Sequence, residues 1–118
     1  MKCFDFSEYK KVYCIGDVRG CNIVLQEYFS SAGGVREDEM YIFLGNYTDR
    51  GIQNAVTIQF LLSIKDRKNV PLLEGKSDRT LWLWANDVTI RNQEFVSTTQ
   101  KELEQAKINQ DLRKNKYM

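Results

Sequence analysis

The chain reads as an α/β protein with parallel strands, and two features of its pattern say so. Three short apolar runs, Val12–Ile15, Tyr41–Leu44 and Val70–Leu73, each end in a polar loop bearing glycine. Helical spacing then follows each loop. Apolar runs without alternation suit strands covered on both faces. Strands separated by helical segments suit βαβ units, whose crossovers are right-handed. The pattern is βαβαβα with a further helix at the C-terminal end.

Residues 1–10 are mixed in character and read as an N-terminal arm. Val12 to Ile15 form the first strand. Cys21 to Ser31 read as a helix, with Ile23 or Val24, Glu27 or Tyr28, and Ser31 at helical spacing. Ala32-Gly33-Gly34 ends it, glycine being favoured just past a helix end. Arg36-Glu37-Asp38-Glu39 is a solvated connection to the second strand, Met40 to Leu44. A second helix is expected over about 53–66, with Ala55, Ile58, Leu61, Leu62 and Lys65 on one face. Pro71 has no N–H to give a ladder, which puts the third strand at or near a sheet edge. Leu81 to Asn86 read as a short helix carrying Trp82 and Trp84. A polar helix and tail close the chain over 97–118. The whole of 1–118 is read as one domain.

Composition narrows the classes of function. The chain has 118 residues, enough for one core, and 42% are hydrophobic, which excludes a mainly disordered segment. A formal net charge of +1 gives no field to recruit nucleic acid. No apolar run reaches the roughly 20 residues of a spanning helix, and Met1 to Asp5 lack a signal-peptide core. Three cysteines without regular spacing suggest reduced thiols and a cytoplasmic protein. There is no histidine at all, so no imidazole can ligate a metal or carry a proton.

Ligands of open α/β sheets sit beyond the carboxyl ends of the strands, so the three loops define a candidate site. The loops are Gly16-Asp17-Val18-Arg19-Gly20, Gly45-Asn46-Tyr47-Thr48-Asp49-Arg50-Gly51 and Gly75-Lys76-Ser77-Asp78. In order and spacing they resemble the signature blocks of calcineurin-like metallophosphoesterases, in particular the phosphoprotein phosphatases. That family reads Gly-Asp-x-His-Gly, Gly-Asp-x-x-Asp-Arg-Gly and Gly-Asn-His-Glu/Asp. Leu81-Trp82-Leu83-Trp84-Ala85-Asn86 is also similar to the Trp-rich helix of bacterial and phage members. The resemblance runs from about residue 11 to about residue 100. It implies the first, three-stranded parallel half of a larger two-sheet sandwich.

The resemblance also assigns roles, and here the chain departs from the family. Such a site uses two metal ions about 3.5–4 Å apart to activate water and clamp phosphoryl oxygens. Asp17 matches a metal-ligating aspartate. Arg19 stands where the family has a histidine ligand, and Asn46 where it has the bridging aspartate. Lys76 replaces an asparagine ligand, and Ser77 replaces the catalytic histidine. Asp78 matches the acid that orients that histidine, Asp49 a carboxylate behind the metal ligands, and Arg50 a phosphate-binding arginine. Two later histidine ligands have no counterpart. Together Asn46, Arg19 and Lys76 shift the site by three charge units against cations. No metal is therefore expected in it, and the chain is expected not to be an enzyme.

Several readings of these residues stand side by side. Asp17 with Arg19 or Arg50 can simply close the site as an ion pair, and Asn46 and Ser77 can hold turns. Arg19, Arg50 and Lys76 can instead converge on a phosphate or sulfate. One metal ion, zinc or manganese, could be held by Asp17, Asp49 and Asp78, giving a weak phosphoesterase. Zinc on Cys3 and Cys21 would give a structural or binding protein. One tryptophan is expected in the core and the other at a contact surface. The leading expectation is an inactive phosphatase-like protein that binds another protein, such as a phage or mobile-element inhibitor of a host enzyme. Because no second sheet is encoded to cover the strands, a homodimer or a protein partner is expected on their open face.

Overall fold

The computed structural model describes residues 5–86 and 96–106. Strand β1, Lys11–Ile15, leads to helix α1, Asn22–Ala32, then to strand β2, Glu39–Phe43, and helix α2, Asn54–Ile64. Helices α3, Lys76–Ala85, and α4, Val96–Ala106, complete the order. β1 and β2 pair in parallel, with Tyr13 beside Tyr41 and Ile15 beside Phe43. Among the described residues no helix is long and apolar enough to cross a membrane.

The third strand is present only in outline, and Pro71 explains why. Segment 69–73 runs beside β2 on the side away from β1, with one parallel bridge, Phe43 to Leu72. Tyr41 N–H donates to Asn69 O (2.9 Å), Phe43 N–H to Pro71 O (3.0 Å) and Leu73 N–H to Phe43 O (2.9 Å). The next rung of a parallel ladder would need residue 71 to donate to the Tyr41 carbonyl. Proline cannot, so the strand is one bond short of a ladder and lies at the edge that Pro71 foretold.

One face of the sheet is covered by aromatic packing. Tyr13 stacks on Tyr41 at 5.5 Å between ring centroids, and Phe29 of α1 meets Tyr41 at 5.3 Å and Phe60 of α2 at 5.7 Å. Such pairs add about 0.5–1.5 kcal/mol each beyond their burial. The other face is less covered. Val12, Cys14, Leu44 and Leu73 are exposed. β1 is thus covered on one side only, where its apolar run led to the expectation of two.

The helices also differ in detail from their expected faces. α1 buries Asn22, Leu25 and Phe29, while Ile23 and Val24 are 61% and 62% exposed. β-branched residues pointing to solvent left periodicity a poor guide there. α1 ends as expected, with Gly33 in the left-handed region and its N–H bonded back into the last turn. α2 buries Ala55, Ile58, Leu61 and Ile64. α3 starts five residues before the expected Leu81 because Asp78 fixes its first turn; Leu81 and Ala85 carry its buried side, and neither tryptophan is fully buried. α4 sends Leu103 into the core. The expected helical residues beyond Ala106, and Cys3 in the N-terminal arm, lie outside the described residues.

Candidate functional site

The three loops meet at the carboxyl ends of β1, β2 and segment 69–73, and main-chain bonds lock them. Arg19 N–H donates to Asn46 O (3.1 Å), Gly20 N–H to Tyr47 O (2.8 Å) and Gln53 N–H to Gly20 O (3.0 Å). The fit is close enough to require glycine. A Cβ on Gly45 would lie 2.6 Å from Gly75 N, and one on Gly51 would lie within the Arg19 carbonyl's contact radius. Gly45 also has a φ of 102°, which only glycine takes without strain.

Five residues with side chains share that left-handed backbone: Asp17, Arg19, Asn46, Asp49 and Arg50. Non-glycine residues seldom adopt it, and such strain gathers at functional loops. Here it turns successive side chains of the first two loops toward one another.

Three of these side chains, those of Asp17, Arg19 and Asn46, close a ring with Ser77. Arg19 Nη1 donates to Ser77 Oγ at 3.0 Å. Ser77 Oγ donates to Asn46 Oδ1 at 2.9 Å, and Asn46 Nδ2 donates to Asp17 Oδ1 at 3.3 Å. Asp17 Oδ2 then faces Arg19 Nε at 3.6 Å. The expected Asp17–Arg19 ion pair is therefore present, and Asn46 and Ser77 do more than hold their own turns. Arg50 and Lys76 stand at the exposed rim, Lys76 opening α3.

Beneath the ring sits Asp78, which ties loops two and three together. Its Oδ2 accepts from Asn46 N–H (2.6 Å) and Gly75 N–H (2.8 Å), and its Oδ1 from Tyr47 N–H (2.9 Å). The carboxylate stands in the first turn of α3, where the helix dipole favours it. Burial still pushes its carboxyl above the usual range, against the pull of those three amides and of Arg19. Asp49 is pushed up by burial too, opposed by the hydroxyl of Thr99, which donates to it from α4. Tyr47 lies under the second loop with its hydroxyl against the Phe43 and Leu73 carbonyls, and burial raises its pKa strongly.

Sequence reasoning found the ring residues and missed what supports them. Asn54 is fully buried: its Oδ1 accepts from Asp49 N–H (2.9 Å) and its Nδ2 donates to Gly51 O (2.9 Å). Glu102 of α4 accepts from Asn54 N–H (2.8 Å) and from Asn54 Nδ2, so it caps α2 from another helix. An asparagine opening a helix behind a polar loop was the available sign of Asn54. Nothing local marks Glu102.

The donor chemistry does not suit a metal pair. Asn46 offers one lone-pair oxygen, already used by Ser77, and turns its amide protons to Asp17. A guanidinium, which cannot ligate, occupies the ring. Among the described residues no three of His, Cys, Asp or Glu form a ligand group, so Asp17, Asp49 and Asp78 do not assemble as one. Asp78 is spent on main-chain amides and Asp49 faces Thr99.

Three polar loops, carrying an aspartate, two arginines and the start of α3, thus gather at the strand ends of a parallel α/β sheet. No family model matches the chain. Over 50 residues, 42% of its length, the chain is 44% identical to the serine/threonine-protein phosphatase PP1-1 of Saccharomyces cerevisiae, covering 16% of that protein. Over 69 residues, 57% of its length, it is 38% identical to a protein phosphatase 2A catalytic subunit of Dictyostelium discoideum, covering 22% of it. The chain thus spans less than a quarter of either phosphatase. Its fold is similar to the crystal structure of a candidate diadenosine tetraphosphatase, with a TM-score of 0.53 and 16% identity over 86% of this chain and 39% of that one. The resemblance to metallophosphoesterases of the phosphoprotein-phosphatase type is supported by these relatives and by the α/β half-fold. One expectation is corrected by them. Missing histidines suggested a chain outside the enzymes, whereas the proteins it is similar to are phosphatases and lead to an enzyme family.

Proposed function

We propose that this chain recognises a phosphoryl group on a protein, at the loop junction that its phosphatase relatives suggest. The observation that carries this reading is the placement of Arg19. Its guanidinium stands where the three loops meet, and its charge acts on both Asp49 and Asp78. Nη1 and Nε are engaged within the ring, and Nη2 is not needed to close it. A phosphate oxygen accepting from Nη2 would gain a charge-assisted bond without breaking the ring. Arg50 and Lys76 at the rim add positive charge, and the start of α3 adds its dipole. A protein-borne phosphate is favoured over a free nucleotide because the two sequence relatives are protein phosphatases. No step through a metal is proposed, since the ring does not provide its ligands.

Thermal melts with inorganic phosphate, and titrations with a phosphoserine peptide and its unphosphorylated twin, test the reading. Inorganic phosphate and the phosphopeptide should both raise Tm by mass action. Arg19→Lys should weaken binding about tenfold or more, because an ammonium cannot make the forked contact. An unchanged Tm at millimolar phosphate, together with equal binding of the two peptides, would overturn it.

A further inference from the structure

Arg19 belongs to two features at once. Its Nη1 and Nε close the ring with Ser77 and Asp17, and the same residue, with Asp17, forms one end of a groove between β1 and α1. The groove has a volume of about 510 Å³, within the roughly 300–1,000 Å³ of small-ligand sites. Beyond that end its walls are apolar and aromatic, with Tyr13 and Ile15 from β1 and Val24, Leu25 and Tyr28 from α1. The rings of Tyr13 and Tyr28 meet edge to face, 5.9 Å apart at their centroids and inclined by 73°. A further aromatic ring gains from such edge and face contacts. Val24 and Tyr28 are 62% and 38% exposed, so among the described residues this wall stands open.

We propose that the phosphoryl group taken at this site is carried on an aromatic ring, as in a phosphotyrosine side chain. This preference rests on the phosphate reading given above and adds what lies behind the phosphate. Charge complementarity decides the occupant. A ligand anchored on Arg19 is anionic at that end, and what enters the groove beyond it is apolar. Phosphotyrosine joins both in one rigid unit, a phosphate bonded directly to a flat ring. In phosphoserine a single methylene separates the phosphate from the α-carbon. Its main-chain N–H and C=O groups then come to the apolar wall, where burial without partners costs free energy. An apolar segment without phosphate covers the wall but leaves the charge of Arg19 unmatched. Asp17 is no free carboxylate repelling the anion, because its oxygens face Arg19 Nε and Asn46 Nδ2. An aromatic phosphate differs from the serine/threonine phosphates named for the yeast relative, and it is the groove of this chain that favours it.

Calorimetric titration of the full chain with phenyl phosphate, inorganic phosphate and phenol tests this, followed by matched phosphotyrosine and phosphoserine peptides. Phenyl phosphate should bind about tenfold tighter than inorganic phosphate, or more, because its ring leaves water. Phenol should bind far more weakly than phenyl phosphate, and the phosphotyrosine peptide should exceed the phosphoserine peptide by a similar factor. Val24→Gln makes the wall polar at an exposed helical position and should cut the ratio of phenyl phosphate to inorganic phosphate affinity severalfold. Tyr28→Ala should cut it as well, with circular dichroism confirming the fold of each variant. Inorganic phosphate binding as tightly as phenyl phosphate would overturn the aromatic preference and leave the phosphate reading standing. Binding of neither would overturn the phosphate reading, and the preference with it. Phenol binding as tightly as phenyl phosphate would make the groove an apolar site independent of Arg19. A dimer by light scattering that binds inorganic phosphate but excludes phenyl phosphate would give the groove to a second copy. Either result overturns the proposal.

Discussion

Asp78 shows how much one side chain can organise. Two loops from distant parts of the chain converge on it because a carboxylate accepts several N–H bonds at once, where an amide side chain accepts on one atom only. Asp78→Asn is nearly isosteric yet should be destabilising. Its Oδ1 can serve Asn46 and Gly75, but its Nδ2 would then face Tyr47 N–H, donor against donor. Leaving one buried amide unpaired costs about 1–3 kcal/mol. Urea unfolding should show stability falling by that amount through a lower midpoint, with the slope unchanged, and Asp78→Ala should fall further. An unaltered midpoint in Asp78→Asn would mean the three amides find other partners. The glycines at the loop junction were legible as backbone positions. Left-handed Asp17, Arg19 and Asn46 were not, since those residue types give no sign of the strain that their packing imposes.

Helix α4 is joined to the site through side chains that its own sequence does not advertise. It reads as a weakly amphipathic polar helix, and its tertiary role rests on Thr99, Glu102 and Leu103. Thr99 donates to Asp49, Leu103 is fully buried, and Glu102 caps α2. α2 begins without a side-chain cap of its own, Gln53 supplying none. Glu102 takes that place, with its negative charge at the positive end of the α2 dipole. Glu102→Ala should therefore cost about 1–3 kcal/mol, the range for losing charged hydrogen bonds to buried groups. Hydrogen exchange in the first turn of α2 should accelerate in that variant while β2 stays protected. Uniform acceleration throughout would show that α4 acts on the whole core and not through this cap.

Over the whole molecule, two buried carboxyls give stability a sign in pH. Asp49 and Asp78 both have pKa values raised by burial above the ordinary 3.8. The folded chain then binds their protons more tightly than the unfolded chain does. Their contribution is fully present below pH 3.8 and is lost as pH rises through the raised folded values. Acidifying from neutral pH toward that window should thus stabilise through these two groups, against the usual direction of acid unfolding. Asp49→Asn removes one of the two charges and keeps an acceptor for Thr99. It should raise Tm at neutral pH, and the difference from wild type should shrink as the solution is acidified. A difference constant with pH would show that Asp49 titrates as an ordinary exposed carboxyl.

The sequence alone determined the parallel βαβ order and the three loops at strand ends, and the family resemblance marked the eight positions Asp17, Arg19, Asn46, Asp49, Arg50, Lys76, Ser77 and Asp78 within them. The order and the loops were legible because glycine, proline and uninterrupted apolar runs act locally on the backbone, and Pro71 marked the strand expected at or near a sheet edge. Only the tertiary structure decided how those residues are used. It set Arg19, Ser77, Asn46 and Asp17 into one ring, gave Asp78 to main-chain amides, and brought Glu102 to Asn54 across 48 positions of chain. It also left Val12 and Cys14 exposed on one face of β1, where their apolar run had suggested cover on both sides. The physical reason is range. A residue's backbone preference is set by its immediate neighbours, whereas its hydrogen-bond partner and its cover depend on which distant surfaces the fold brings to it.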